Sequence, residues 1–242
     1  MRSFESVSTW RQPEPGPLSA ARTALIEAVA DEISRRSPRR LRIVVDGLTG
    51  AGKTSFGHEL ASALRRIGRP TLRASLDDFK HPWRDAHERG YDRVTGEGYY
   101  RNAYDFRSAI ELLLEPAGAD GSGEVVLCAH DPLTGEDHRA TVVAAPDDAI
   151  LIVDSVFGQR PEYDRYWDYR IWLDVMPEVA IVRGIARDID AEGVVEATRV
   201  RRDRYSPAEA IYVTEVDPLS KADLVVDNNE LGNPRVVPRD SN

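Results

Sequence analysis

The sequence predicts an α/β fold built on a mostly parallel five-stranded sheet, and three observations carry that prediction. Strand-like apolar runs recur at residues 41–46, 71–76, 149–153, 169–174 and 222–226. Helix-compatible stretches separate most of them, which is the alternation of βαβ units. The run at 149–153 is apolar at every position, as a central strand covered on both faces requires.

The elements follow in order. Residues 1–17, with Pro13, Pro15, Gly16 and Pro17, read as an extension with little packing of its own. Leu18, Ala21, Leu25, Ala28, Val29 and Ile33 recur at helical spacing and predict a helix docked against the edge of the main domain. Residues 1–40 are thus an N-terminal extension and helix, and 41–242 the main domain. After the strand at 41–46 come a helix at 53–67 and the strand at 71–76. The stretch 77–101 is polar, aromatic and glycine-rich, and predicts a long loop over one face. A helix at 106–115 stops before Pro116. Runs at 124–129 and 139–145 flank a turn with Pro132 and Gly135, the pattern of an antiparallel hairpin. Beyond the strand at 169–174, Pro177 opens a helix, and an arginine-rich segment spans 183–204. Ser206-Pro207-Ala208-Glu209 has the spacing of a capping box and predicts the start of the last helix. From Asn228 the chain reads as a loose tail.

Composition sets limits. The chain has 242 residues, 32 basic and 41 acidic, with a formal charge of −9. That balance argues against a nucleic-acid partner while leaving small anionic ligands open. Cys128 is the sole cysteine, so neither an internal disulfide nor a cysteine-built metal site is available. The start lacks the apolar stretch of a signal peptide, and the longest aliphatic run, 150–153, is far short of the roughly 20 residues of a membrane helix. A soluble cytoplasmic protein without a membrane partner is expected; a homo-oligomer is left open.

The strongest motif is Gly47-Leu48-Thr49-Gly50-Ala51-Gly52-Lys53-Thr54, followed by Ser55. It matches G-x-x-x-x-G-K-[ST] and lies between a predicted strand and a predicted helix, the context that confirms it. Glycines let the backbone N–H groups turn around a phosphate, the helix directs its positive end there, and Lys53 adds a mobile charge. These nine residues are the expected ATP-binding loop, with Thr54 on Mg2+. Asp154, closing the aliphatic run, is the second candidate for the metal, unless it serves as a helix cap or turn. Ser220-Lys221-Ala222-Asp223 lacks the asparagine of a guanine-reading motif and reads as the polar lead-in to the last strand. Asp77 follows the second strand at the carboxyl edge of the sheet, where ligands of open α/β sheets bind. There it could orient an acceptor hydroxyl and take its proton; Asp78 competes for the role.

These segments together resemble the uridine kinase family, with its phosphoribulokinase and bacterial pantothenate kinase relatives, over residues 41–228. The resemblance rests on 47–54, Ser75-Leu76-Asp77-Asp78-Phe79-Lys80, Ala103-Tyr104-Asp105, 131–139, Asp154 and Arg183-Gly184-Ile185-Ala186-Arg187-Asp188. It implies a three-layer P-loop kinase fold with the hairpin near the acceptor site and an arginine-rich lid at about 183–206. It further implies Asp77 as the catalytic carboxylate, with Lys53, Arg183 and Arg187 acting on the phosphates. Asp105 could equally be the N-cap of the helix that follows it.

The acceptor side departs from the pattern. Gly98-Tyr99-Tyr100-Arg101-Asn102 lacks the acid expected to grip ribose, and His130 stands where a tyrosine is expected. The loop carrying His81, Trp83, Arg84, His87, Arg89, Tyr91, Arg93, Tyr99, Tyr100 and Arg101 combines flat rings with arginines suited to anions. Tyr99, Arg101, Tyr104, His130 and Arg139, with Asp77, are the expected acceptor contacts. The expectation is an ATP- and Mg2+-dependent kinase of a small-molecule hydroxyl, with a nucleoside, a sugar phosphate, a pantothenate-like alcohol or a secondary metabolite as acceptor. The rival is an ATP-binding regulatory protein without such activity.

Overall fold

The structure, a computed structural model, describes residues 6–9, 18–88 and 90–238. Arg89, most of the 1–17 extension, and the side chains of Arg84 and His87 lie outside the described residues.

Eight strands are described: β1 (Leu41–Gly47), β2 (Thr71–Ser75), β3 (Glu124–Val126), β4 (Val142–Ala144), β5 (Ile150–Ser155), β6 (Tyr169–Asp174), β7 (Leu224–Asp227) and β8 (Arg235–Val236). The main sheet has the order β2-β5-β1-β6-β7-β8. Its first five strands are parallel, and β8 adds an antiparallel edge. The tail from Asn228 is therefore a turn and a sixth strand, too short to signal itself by alternation. The predicted hairpin exists as the separate β3-β4 pair, shorter than expected.

Nine α-helices are described: α1 (Ala20–Arg36), α2 (Lys53–Arg66), α3 (Trp83–Glu88), α4 (Gly96–Asn102), α5 (Phe106–Ala109), α6 (Pro177–Glu192), α7 (Val194–Val200), α8 (Ser206–Val216) and α9 (Pro218–Lys221). Cores form on both faces of the sheet. On one, Ile26, Val29, Ala30 and Ile33 of α1 join Phe56, Leu60 and Leu64 of α2 against Ile43, Val45, Ile152 and Ile171. Each large aliphatic side chain buried there contributes about 1.5–3 kcal/mol, so α1 belongs to the layer rather than resting on its edge. Ser19 caps α1 by accepting from the Arg22 N–H. On the other face, Tyr100, Phe157, Tyr163, Trp167 and Tyr212 build an aromatic core.

Two predictions fail for identifiable reasons. The stretch 77–101 is not a plain loop: it holds a 3-10 turn at Leu76–Phe79 followed by α3 and α4. Its glycines suggested flexibility but serve close packing. A Cβ at Gly96 would stand 2.5 Å from Pro207 Cβ, and one at Gly98 would stand 2.4 Å from Asp92 Cγ. The predicted helix at 106–115 is present, as α5 continued by a π-turn over Ile110–Leu114. A helix does begin at Ser206, but it is not capped there and it is not the last, since α9 follows. A π-turn at Arg201–Tyr205 carries the backbone directly from α7 into α8, and Tyr205 lends no side-chain cap.

Candidate active site

The phosphate loop bends between β1 and α2 with Gly47, Gly50 and Gly52 all at positive φ. Gly50 also needs the absence of a side chain, because a Cβ there would come within 2.3 Å of the Ala180 carbonyl of α6. Lys53 folds back across the loop and donates to the Leu48 carbonyl at 2.9 Å. Burial lowers its pKa, against the pull of Asp46, Glu209, Asp154 and Asp77. A buried ammonium bonded to one carbonyl at the start of α2 suits an anion.

Thr54 donates to Asp154 Oδ2 at 2.9 Å, and Ser75 Oγ reaches the same oxygen at 3.3 Å. Two hydroxyls around one carboxylate oxygen suit Mg2+, which takes one or two protein ligands beside phosphate oxygens and water. Among the described residues no cluster of three His, Cys, Asp or Glu offers a self-sufficient metal cage. Arg73 holds the other Asp154 oxygen in an ion pair with both side chains 7 % exposed. That partner restrains the carboxylate and tempers its charge. Asp46, wholly buried beneath the loop, accepts from the Tyr212 hydroxyl and the Gly47 N–H, and burial pushes its pKa up to about 6.

Asp77 sits in the same cleft. Tyr104 donates its hydroxyl to Asp77 Oδ1 at 2.9 Å, and Lys80 pairs with that oxygen at 2.9 Å. Lys80 also lies 5.3 Å from the ring centroid of Tyr99 and 5.2 Å from that of Tyr104. Burial would raise the Asp77 pKa, but Lys80, Tyr104 and Lys53 together hold it below the ordinary carboxylate value. Asp78 is absent from the cleft wall and is only 4 % exposed; it accepts from Ser6 Oγ at 3.1 Å. Burial raises its pKa to about 7. A carboxyl whose folded pKa exceeds its unfolded value of about 3.9 favours the native state below that value, and the benefit is lost as pH rises through 7. Asp78→Asn should therefore raise the melting temperature relative to wild type by more at pH 8 than at pH 4.5, as thermal melts at the two pH values would show.

The cleft encloses about 700 Å3 and is lined by Thr49, Gly50, Gly52, Lys53, Thr54, Ser55, Asp77, Tyr99, Asp154, Arg183 and Arg187, among others. Gly47, Leu48 and Ala51 form the back of the loop instead. Arg183 donates to the Asn228 carbonyl at 2.9 Å and also to that of Asn229, while Arg187 pairs with Asp188 at 2.6 Å. A smaller cavity of about 230 Å3 adjoins the cleft and holds His130, whose pKa burial lowers. The two cavities share Lys80, Trp83, Arg93, Pro132 and Leu133. Tyr104 is buried and reaches the site through its hydroxyl alone. Like Tyr104, two further expected acceptor contacts lie outside both linings: Arg101 is drawn to Glu215 on α8 and Arg139 to its near neighbour Asp137, each by a two-pronged ion pair. Asp105 caps α5 through the Ser108 N–H, as the alternative reading expected.

Sequence reasoning missed the brace on the loop. Glu209 Oε1 accepts from the Thr49 N–H at 2.7 Å, while Arg201 donates to the Thr49 carbonyl at 3.1 Å and to Glu209 Oε2 at 2.7 Å. The Glu209 of the supposed capping box thus reaches across the fold to fix the loop. Lys80 was likewise within a quoted motif but carried no assigned role.

A strand-to-helix phosphate loop beside a five-strand parallel sheet decides the architecture, and comparison with solved structures agrees. A chain described as a possible uridine kinase from Bacillus stearothermophilus superposes with a TM-score of 0.60 at 24% identity, over 83% of this chain and 96% of that one. The chain has the P-loop kinase fold. A proposed fructose transport system kinase from Silicibacter sp. TM1040 gives a TM-score of 0.62 at 21% identity, over 78% of this chain and 93% of its own. The D-glycerate 3-kinase of Cryptococcus neoformans gives 0.56 at 14% identity, over 89% and 98%. At these identities the likeness is one of fold. No family profile and no curated protein matches the sequence. Among the described residues, no helix of this P-loop kinase fold is long and apolar enough to cross a membrane.

Proposed function

We propose that the protein is a kinase transferring the γ-phosphoryl group of ATP to a hydroxyl of a small metabolite. The observation that carries this reading is the shared cleft. It holds an anion cradle at Thr49–Thr54 and, across from Lys53, a carboxylate kept ionised and aimed by Tyr104 and Lys80. Phosphoryl transfer asks little of a protein beyond placing donor and acceptor and stabilising spread charge.

In this reading the loop N–H groups and Lys53 hold the β- and γ-phosphates, and Thr54 with Asp154 would hold Mg2+. The ion, when bound, neutralises charge developing on the phosphate oxygens. Asp77 orients the acceptor hydroxyl and receives its proton. Arg183 and Arg187 lie on the lid side; on closure they would exchange their present partners, carbonyls and Asp188, for phosphate oxygens.

The names of the fold neighbours support kinases acting on unlike acceptors. A neutral nucleoside fits this chain less well, since Arg101 is engaged by Glu215 and the 98–102 segment offers no ribose-gripping acid. Lys53→Met tests the donor half. Calorimetric titration with Mg2+ and a non-hydrolysable ATP analogue should show affinity weakened on the order of 10- to 100-fold, the loss expected for one charge-assisted phosphate contact. Affinity unchanged within a factor of two would contradict the assigned role of Lys53.

A further inference from the structure

We propose that the acceptor is an anionic hydroxyl compound whose carboxylate or phosphate is held by Arg93 and Arg204, the two cations gathered at Trp83. The proposal rests on the kinase reading of the cleft and names the class of molecule that enters its acceptor half.

The cations of the cleft divide by their partners. Arg22 pairs with Glu59, Lys80 with Asp77 and Arg187 with Asp188, each within 3.0 Å. Lys53 and Arg183, bonded to the carbonyls of Leu48, Asn228 and Asn229, are those assigned to the donor phosphates in the kinase reading. Arg93 belongs to neither group. It is 2 % exposed, forms part of the wall where the two cavities meet, and no carboxylate pairs with it among the described residues. Nη1 donates to the His81 carbonyl, and the buried Nε has no partner. Arg73 and Arg201 also leave Nε unpartnered, but each is in an ion pair with a buried carboxylate; Arg170 does so too, but it is only half-buried and lies outside both cavities. A buried guanidinium without a counter-charge is costly, and a ligand anion is the partner that removes the cost.

Arg204 places a second cation at the same point. The Arg93 guanidinium lies 4.3 Å from the Trp83 ring centroid and that of Arg204 lies 5.4 Å from it. Arg204 spends only its Nε, on the Val94 carbonyl at 3.3 Å. The charges of two acids reach Arg204, but Asp92 is turned to the N–H groups of Val94 and Thr95 and Glu196 is paired with Arg199. Trp83 remains 52 % exposed. Two cations gathered on one open ring, neither in an ion pair among the described residues, suit a carboxylate or phosphate as a fork would. Asp77 and Lys53 border the same cleft, so an acceptor anchored at the fork by its anion can present a hydroxyl to the donor end.

The test uses matched compounds: glycerol, D-glycerate and glycerol 3-phosphate, titrated by calorimetry into the full chain saturated with Mg2+ and a non-hydrolysable ATP analogue. Charged members should bind at least about 10-fold tighter than glycerol, and the ratio of the two charged affinities tells carboxylate from phosphate. In Arg93→Met that preference should fall to near unity, with Arg93→Lys restoring part of it. Arg204→Gln, less exposed to folding defects, should reduce it as well. A preference absent in the wild type, or intact in both Arg93→Met and Arg204→Gln, would overturn the proposal. Anion binding without ADP formation from any hydroxyl compound would sink the kinase reading and leave the fork standing. ADP formation from neutral acceptors alone, indifferent to Arg93, would do the reverse.

Discussion

Asp77→Asn is expected to lower kcat by about 100- to 10,000-fold, the span typical of losing a positioned general base, while the affinity for Mg2+ and ATP stays within about threefold. Asparagine keeps the shape and can still accept the Tyr104 hydroxyl at the oxygen position now bonded at 2.9 Å. It loses the charge that pairs with Lys80 and that, in the proposed reaction, draws the acceptor proton. Because Lys80, Tyr104 and Lys53 keep the Asp77 pKa low against burial, the carboxylate is ionised throughout the neutral range. Its pairing stabilises the fold above the unfolded carboxylate pKa and is lost only as pH falls through the depressed folded value. The acid limb of the wild-type rate profile should accordingly lie below about pH 4, and a limb near 7 would instead implicate a group such as Asp78.

Glu209→Ala should destabilise the protein by about 3–5 kcal/mol, the usual cost of leaving one member of a buried ion pair alone. Arg201 and Glu209 have side chains 4 % and 5 % exposed, and each also bonds the backbone of Thr49. Truncation therefore strands a buried guanidinium and frees the Thr49 N–H in one step. Denaturant melts would report the first effect. The second should appear as weaker ATP binding even in conditions where the fold is intact, because the loop amides must be held in place to act as a cradle. Glu209→Gln, which can still accept from Thr49, should recover part of the nucleotide affinity but little of the stability. Equal loss in both variants would mean that the loop contact carries none of the effect.

These two residues show where the sequence was legible. Asp77 follows a strand at the carboxyl edge of a parallel sheet, a position that local pattern and fold rules reveal together. The phosphate loop, the five parallel strands and the Asp105 cap are local in the same sense. Glu209 sits at a spacing that suits a capping box, yet its partner Thr49 is far away in sequence, and pairing through space leaves no periodic trace. The same holds for Arg73 on Asp154 and for Arg101, whose place in an aromatic loop suggested ligand contact until Glu215 was found beside it. Gly96 and Gly98 misled for another reason: glycine marks both freedom and close approach, and only the packed neighbours Pro207 and Asp92 decide which.

The central claim is that donor cradle and Asp77 serve one transfer reaction. Phosphorus NMR of ATP and Mg2+ incubated with the protein and a mixture of neutral, carboxylated and phosphorylated hydroxyl compounds tests it most directly. The expected result is a γ-phosphorus signal moving into a new phosphate ester with the wild type, and no such ester with Asp77→Asn. Inorganic phosphate as the sole product, formed at the same rate by both proteins, would contradict it.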